Sequence, residues 1–399
     1  MTLPIARPEE LGLSAPRLSQ LSATLRADVD KGRIPGAVVL IARNGRIGHF
    51  DALGARDPET GAAMTLDSIF LIYSMTKPIV STAAMMLFEQ GSFLLTDPVG
   101  RYIPALAKLQ VGTVRRDPGT GEVKLDLAPA RHPITIQDLL RHTAGLPYGY
   151  MGEGPIQKLY QEHRIDGYRG QSNEEMVQKL GQLPLIAEPG TRWAYSVATD
   201  VLGRLVEVVS GLGLGAYLQE HIFAPLGMTD TGFSVPEAKQ GRLAEHFPID
   251  PDSGEKVELH NVRRPPRFES GGGGLASTAR DYARFLQMVL NGGTLDGVRL
   301  LSRKTIGFMT ADHLGAIPGA AEFNGPGLGF GLGYGVRLQA GITPYQGSAG
   351  NFYWGGAAGT RFFVDPSEHL FAILMLQAPR QREHYSTLFP NMVYGCFDD

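Results

Sequence analysis

The chain has 399 residues, of which 43% are hydrophobic and 19% are charged, so it can bury a large core, and a disordered chain is excluded. Its 37 basic and 40 acidic side chains give a formal net charge of -3, so no net positive field attracts nucleic acid or an anionic membrane. The single cysteine, Cys396, cannot form a disulfide within the chain, so nothing in the sequence requires an oxidising compartment.

The N-terminal segment and the apolar runs predict the compartment. Residues 1–17 lack the basic start and apolar stretch of a secretory signal. The longest apolar run, residues 370–376, is far shorter than the ~20 residues of a membrane helix. We therefore expect a cytoplasmic protein without a membrane or nucleic-acid partner, and the sequence leaves its oligomeric state open.

The first predicted elements form a β-hairpin. Residues 36–43 and 46–53 are rich in strand-forming residues, and between them lies Asn44-Gly45, a dipeptide that accepts positive φ at both turn positions. The first strands of a sheet are therefore expected near the N-terminus.

Helical spacing of apolar residues dominates the middle of the chain. The predicted helices cover residues 77–90, 135–142, 173–180, 197–210, 214–221 and 278–291. Glycines that can stop a helix lie just past four of them, at Gly91, Gly145, Gly211 and Gly292.

Strand patterns return near the C-terminus, at residues 334–339, 360–365 and 370–376. Only a short turn at 365–368 separates the last two, so the sheet is at least partly antiparallel. The order of elements predicts an α/β protein. Its sheet domain comprises residues 1–79 and 261–399, and a mostly helical domain, residues 80–260, is inserted between the two halves.

A Ser-x-x-Lys motif joins Ser74 to Lys77 at the start of the first long predicted helix after the hairpin. Positions three apart share a helix face, so the hydroxyl and the amine can come within hydrogen-bond distance. A serine hydroxyl is a weak nucleophile until a base takes its proton, and a lysine can be that base when its pKa is lowered. Taken alone, the motif also fits an N-cap serine followed by a solvated lysine.

A second candidate is Tyr195, just before the helix predicted for residues 197–210. A nearby lysine cation can lower the pKa of a tyrosine, which can then relay a proton between nucleophile and leaving group. The alternative role is an aromatic anchor in the core. Ser196 is expected to be the N-cap of the helix and not a second nucleophile.

The third candidate is the segment 354–357, Trp-Gly-Gly-Ala, before the strand predicted at 360–365. Its glycines let the backbone approach a ligand closely, and the N–H groups of Ala357 and Ser74 can together form an oxyanion hole. A glycine-rich turn into a strand fits the same residues.

Together, Ser74 to Lys77, Tyr195 and Trp354 resemble the three motifs of the serine β-lactamase and penicillin-binding protein superfamily, with the order and spacing of its class C branch. Residues 134–147, 225–228 and 272–278 also resemble segments of that branch. The resemblance implies a β-lactamase-like fold, with a central, mainly antiparallel sheet flanked by helices. It also implies an active site in the cleft between the sheet domain and the helical domain.

Two departures from the family motifs are typical of esterases. Val197 stands where the second motif normally has an asparagine that holds the side chain of a β-lactam. Trp354-Gly355-Gly356 replaces Lys-Thr-Gly, so a neutral ring stands where a lysine can pair with the carboxylate of a β-lactam. The sequence most closely resembles the family VIII carboxylesterases, which hydrolyse esters of short acyl chains. The resemblance implies that Trp354, Gly355, Gly356 and Val197 line the substrate pocket. Tyr148, an aromatic residue in a long loop, is expected to line an apolar part of the same pocket.

The resemblance also implies a reaction cycle on a small-molecule ester. Ser74 attacks the carbonyl, Lys77 and Tyr195 jointly act as general base and acid, and the N–H groups of Ser74 and Ala357 hold the oxyanion. Water then cleaves the acyl-enzyme, with no cofactor and no metal. The principal base is left open, because a coupled pair titrates as one unit.

Other functions were weighed against this one. An acyltransferase, a weak β-lactamase, an amide hydrolase and a D-amino-acid peptidase share the acyl-enzyme, whereas a non-catalytic penicillin sensor is disfavoured because every reactive residue is present. A Ser-His-Asp hydrolase is disfavoured because Gly-x-Ser-x-Gly is absent, and His142 is expected to close a turn. The spacing of histidines, of the cysteine and of the glycines predicts no metal or nucleotide site.

Overall fold

The computed structural model describes residues 3–119, 121–167 and 170–398. Its α-helices are α1 Ala15–Asp30, α2 Thr76–Glu89, α3 Ile136–Leu140, α4 Pro155–Glu162, α5 Asn173–Leu180, α6 Ala198–Ser210, α7 Leu214–Leu218, α8 Ala224–Leu226, α9 Ala279–Leu290, α10 Arg303–Met309, α11 Ala320–Asn324 and α12 Arg382–Tyr394. Its strands are β1 Gly36–Arg43, β2 Arg46–Asp57, β3 Ala62–Ala63, β4 Phe70–Leu71, β5 Gln110–Arg116, β6 Val123–Pro129, β7 Ala276–Ser277, β8 Thr294–Leu295, β9 Val298–Arg299, β10 Leu328–Phe330, β11 Gly335–Arg337, β12 Phe352–Gly355, β13 Arg361–Asp365 and β14 Leu370–Leu376.

The central sheet has eight strands in the order β10-β11-β12-β13-β14-β1-β2-β3, and each neighbouring pair is antiparallel. The N-terminal hairpin is confirmed, with positive φ at Asn44 (53°) and Gly45 (75°). The C-terminal hairpin of β13 and β14 is also confirmed. Because β1 pairs with β14, the two ends of the chain meet in the middle of one sheet.

Helices cover the middle of this sheet. α1 packs on β1 and β2 and against α12, while α9 packs on β1 and β14. Every residue of β1 and β14 is buried, as expected for strands covered on both faces. The same sheet contains β12, whose Trp-Gly segment belongs to the predicted site.

The helices in the middle of the chain pack around α6, which contacts α2, α3, α5 and α7. The predicted helices exist, with ends that differ by one or two residues in most cases. The helix predicted for residues 214–221 is present, although its α-helical part, α7, ends at Leu218 and a π-helical turn, Gln219–Phe223, continues it. The proposed division into domains at residues 80 and 260 stays a prediction.

Ser196, the predicted N-cap of α6, lies one residue before the observed N-cap. Val197 is the N-cap, and its side chain has no oxygen to accept a hydrogen bond. The hydroxyl of Ser196 nevertheless accepts the N–H of Ala198 at 3.3 Å, so it satisfies one of the open donors at this helix end.

Sequence analysis missed several strands, among them β5, β6, β10 and β12. β5 and β6 form a hairpin within the mostly helical segment, although alternating apolar residues around an Asp-Pro-Gly turn could have predicted it. Phe352–Gly355 is itself a strand and not only a turn into the next one.

Among the described residues, no single helix is long and apolar enough to cross a membrane. α6 and the segment Leu214–Leu226 reach that length and hydropathy only as a pair, which is bent by 78°. Much of α6 is buried in the protein, including Leu202, Leu205 and Val206.

Candidate active site

Ser74 lies in a 3-10 turn, Tyr73–Met75, that leads directly into α2. Tyr73 has a φ of 42°, a left-handed conformation that is strained for a residue with a side chain. Neighbouring groups hold the turn: the Tyr73 hydroxyl accepts the N–H of His260 at 3.1 Å, and the Tyr282 hydroxyl donates to the Met75 carbonyl at 2.9 Å. Burial raises the pKa of Tyr73 to about 12, so its phenol stays protonated at neutral pH.

Lys77 lies in the first turn of α2, and its side chain is fully buried. Its Nζ donates to Ser74 Oγ at 3.3 Å, to the Tyr148 hydroxyl at 2.9 Å and to the Gly272 carbonyl at 2.7 Å. An ammonium group has three N–H donors, and these three acceptors use all of them. The predicted proximity of Ser74 and Lys77 is therefore present, and the amine is fixed in one orientation.

Tyr195 reaches the same serine from the other side. Its hydroxyl donates to Ser74 Oγ at 2.6 Å, and its ring lies 4.5 Å from Lys77 Nζ. Ser74 Oγ is thus the shared acceptor of Lys77 and Tyr195. Both groups are close enough to exchange a proton with Ser74.

Tyr148 has a larger part in the site than the sequence predicted. The sequence placed it among residues that line the substrate, whereas the structure shows its hydroxyl accepting from Lys77. The side chain is 7% exposed, and its ring lies 5.4 Å from the ring of Tyr195. No local sequence signal could reveal the contact with Lys77, because 71 residues separate the two positions.

His142 closes a turn after α3, as predicted, with a φ of 59°. Its Nδ1 is 2.8 Å from Ser196 Oγ, and its ring lies 5.1 Å from that of Tyr195. Burial lowers the pKa of His142 well below its ordinary value, and the Lys77 cation acts in the same direction. The imidazole is therefore neutral at pH 7, and its ring packs against the ring of Tyr195.

Trp354 is brought to the site by β12. Its ring lies 5.4 Å from that of Tyr195 and 5.2 Å from that of Phe330, and the residue is 5% exposed. Phe323 adds a ring 5.1 Å from Tyr195. A neutral aromatic wall thus surrounds the tyrosine, where the family motif would place a lysine cation.

The turn after β12 lies against the segment that carries the serine. The Thr360 hydroxyl donates to the Ile72 carbonyl at 3.4 Å, and a Cβ on Gly356 would lie 2.5 Å from that same carbonyl. A side chain at Gly356 would push the turn away from Ser74. Ala357 follows in this turn and is exposed, and its part in an oxyanion hole stays a prediction.

The remaining predicted lining residues differ in exposure. Gly355 ends β12 and is partly exposed, whereas Val197 is 1% exposed and lies in the core at the start of α6. The role of Val197 in substrate binding stays a prediction.

A groove of about 820 Å³ opens beside Tyr195. Apolar side chains cover much of its wall, among them Val111, Met151, Ile156, Ile186 and Phe323. An exposed ion pair of Arg192 and Glu322, 2.8 Å apart, borders the groove. The volume suits a drug-sized apolar group.

The part of the chain that the structure describes contains no candidate metal site. There, no group of three or more His, Cys, Asp or Glu side chains is placed to hold an ion.

A family model described as beta-lactamase matches residues 21–389. The chain therefore belongs to the beta-lactamase family of serine hydrolases. The predicted fold is confirmed by this match and by the antiparallel sheet.

Particular relatives add detail. Esterase EstB from Burkholderia gladioli is 31% identical over 396 residues, which cover 94% of each chain. An uncharacterised protein from Mycobacterium tuberculosis is 38% identical over 369 residues, covering 89% of this chain and 88% of the relative. The solved structure of EstCE1, described as a hydrolase with promiscuous acyltransferase activity, is 29% identical with a TM-score of 0.77, and the match covers 96% of this chain and 99% of EstCE1.

Proposed function

We propose that this protein is a carboxylesterase that hydrolyses small esters with short acyl chains through an acyl-enzyme on Ser74. One observation carries the proposal: Ser74 Oγ accepts hydrogen bonds from both Lys77 and Tyr195. A serine held between two proton-exchanging groups is an activated nucleophile.

In the first half of the cycle, one member of the pair formed by Lys77 and Tyr195 is in its deprotonated form, and Ser74 Oγ bonds to the ester carbonyl carbon as the serine proton passes to that member. The N–H groups of Ser74 and Ala357 bind the oxyanion that develops on the carbonyl oxygen. The bond to the alkoxy group then breaks, and Tyr195 returns the proton to the leaving alcohol.

In the second half, a water molecule attacks the acyl-enzyme and gives its proton to the same pair. The carboxylic acid leaves, and Ser74 regains its proton. Because Lys77 is held by the Tyr148 hydroxyl and the Gly272 carbonyl, it stays aimed at the serine throughout the cycle.

Esters are favoured over β-lactams by the wall around Tyr195. Trp354 supplies no charge to pair with the carboxylate of a penicillin or cephalosporin, and its ring is packed against Tyr195. EstB, named an esterase, is a relative along nearly the whole chain, which supports ester substrates here.

Acyl transfer is the second candidate, favoured by the groove beside Tyr195. An acceptor alcohol lying in that groove would be in position to replace water in the second half of the cycle. The acyltransferase activity described for EstCE1 supports the same possibility.

The test is hydrolysis of p-nitrophenyl esters from acetate to laurate, beside the cephalosporin nitrocefin, with wild type and Ser74→Ala. We expect rapid cleavage of short esters, little of nitrocefin, and loss of both in the variant. Efficient nitrocefin turnover would contradict the argument from Trp354. Product analysis with added alcohols separates transfer, which yields a new ester, from hydrolysis.

A further inference from the structure

A buried carboxylate lies behind the lysine of the site. Asp200, in the first turn of α6, is 4% exposed. Its Oδ1 accepts the Gly272 N–H at 2.9 Å and the Ser270 hydroxyl at 2.5 Å. The carbonyl of the same Gly272 accepts Lys77 Nζ at 2.7 Å. Gly272 thus links the two charged groups: its N–H binds the carboxylate of Asp200, and its carbonyl binds the ammonium group of Lys77.

Gly272 lets these groups come together because it has no side chain. A Cβ there would lie 2.5 Å from Asp200 Oδ2 and 2.9 Å from the Tyr148 hydroxyl. The carboxylate, the phenol and the ammonium group of Lys77 therefore surround a single backbone position. Nothing larger than hydrogen fits between them.

The charges around Lys77 make Asp200 its counter-ion. Ser74 and the tyrosines Tyr148 and Tyr195 face the ammonium as hydroxyls, and His142 is neutral. Within the described residues, no carboxylate lies within 4 Å of Lys77 Nζ. Asp166 and Tyr150 also interact with the charge of Asp200: burial raises the pKa of both groups, and the negative charge of Asp200 adds to that rise. A buried ammonium needs compensating charge.

Burial and the neighbouring groups act in opposite directions on the carboxylate of Asp200. Burial raises the pKa of Asp200 above its ordinary value, whereas the Lys77 cation and the hydrogen bonds from Ser270 and the Gly272 N–H oppose that rise. Two hydrogen bonds to one oxygen are an arrangement that suits a carboxylate.

We propose that Asp200 is a positioning residue, whose carboxylate fixes Gly272, compensates the charge of Lys77 and sets the pH at which the pair of Lys77 and Tyr195 can take the proton of Ser74. This inference rests on the proposed function, since it assigns Asp200 a role in activating the same nucleophile.

The charge of Asp200 acts in one direction on both members of the pair. A nearby negative charge favours the protonated form of an amine and of a phenol alike, so removing it lets the base of the pair lose its proton at a lower pH. At an effective dielectric constant of about 20, Coulomb's law gives a shift on the order of one pH unit for two charges that are near each other but not in contact.

The test measures how fast Ser74 reacts with a p-nitrophenyl alkylphosphonate between pH 5 and 10. In this reaction Ser74 Oγ bonds to phosphorus, p-nitrophenolate leaves, and the serine proton passes to the base, so the rate reports activation without requiring ester turnover. Mass spectrometry locates the label. Asp200→Asn removes the charge and keeps an oxygen for the Gly272 N–H.

Glu207→Gln is the matched control. Glu207 lies on the same helix, and its carboxylate also accepts a backbone N–H, from Leu214 at 3.3 Å, but it pairs with Arg204 away from Lys77. The control is expected to keep the wild-type profile. Asp200→Asn is expected to move the acidic limb down by about one pH unit or more.

An unchanged limb in folded Asp200→Asn would overturn the inference, while ester hydrolysis by wild type would still stand. If wild type is labelled at Ser74 but cleaves no carboxylic ester, the proposed function fails and the role of Asp200 is still measured. If Asp200→Asn does not fold, Ser270→Ala keeps the carboxylate and removes one of its hydrogen bonds. Because the charge stays and a hydroxyl that partly compensates it is lost, the acidic limb is expected to move up by less than about one pH unit, and no shift would refute the role.

Discussion

The hydroxyl of Tyr195 offers the sharpest test of the proposed chemistry. In Tyr195→Phe the atom that donates to Ser74 Oγ at 2.6 Å is removed. The ring stays, so its packing against His142 and Trp354 is retained. The perturbation is therefore confined to one proton-carrying group.

The expected losses in activity and in stability differ widely. General acid–base catalysis by one group contributes about 10²- to 10⁴-fold, so kcat should fall by that factor, which is about 3–5 kcal/mol in the barrier. The free energy of unfolding should change by only about 1 kcal/mol, since one hydrogen bond is lost.

The assay is p-nitrophenyl acetate hydrolysis, with the free energy of unfolding from urea denaturation of the same preparations. Tyr102→Phe is the control, because the Tyr102 hydroxyl donates to Asp97 at 2.8 Å away from the cleft. The control should lose similar stability and keep wild-type kcat. If Tyr195→Phe keeps more than about a tenth of wild-type kcat, Tyr195 carries no essential proton.

Three further predictions concern the network, the groove and the pH dependence of stability. Gly272→Ala should lower kcat at least tenfold, because a Cβ meets Asp200 Oδ2 at 2.5 Å and must displace the acceptor of Lys77; steady-state kinetics at unchanged thermal stability checks this. Ile156→Trp should lower kcat/KM for esters of bulky alcohols several-fold and leave methyl esters unchanged, since the ring fills the groove beside Tyr195; equal effects on both would argue against the groove. Burial raises the pKa of Asp281 from 3.8 to about 6, so its contribution to stability is present below pH 4 and is lost as the pH rises through 6. Urea denaturation at pH 4 and 7 should therefore show wild type losing about 3 kcal/mol relative to Asp281→Asn, and a constant difference would refute the sign.

Features that depend on residues close together in the chain could be predicted from the sequence. Ser74 and Lys77 are three residues apart, and this spacing brings their side chains onto one helix face independently of long-range contacts. Asn44-Gly45 similarly predicted the first hairpin, since few other residues accept positive φ at both turn positions. Tyr195 and Trp354 could be placed in the site only through the resemblance to a family.

The contacts that hold the side chain of Lys77 depend on long-range packing and could not be predicted from the sequence. Tyr148 and Gly272 lie 71 and 195 residues from Lys77, and no periodicity or turn signal encodes contacts at such distances. They form because α2 and α6 pack together and the loops around them must satisfy every buried donor. No sequence pattern distinguishes Asp200 from other polar residues in the first turn of a helix, and its carboxylate joins the site because folding places it against the Gly272 N–H.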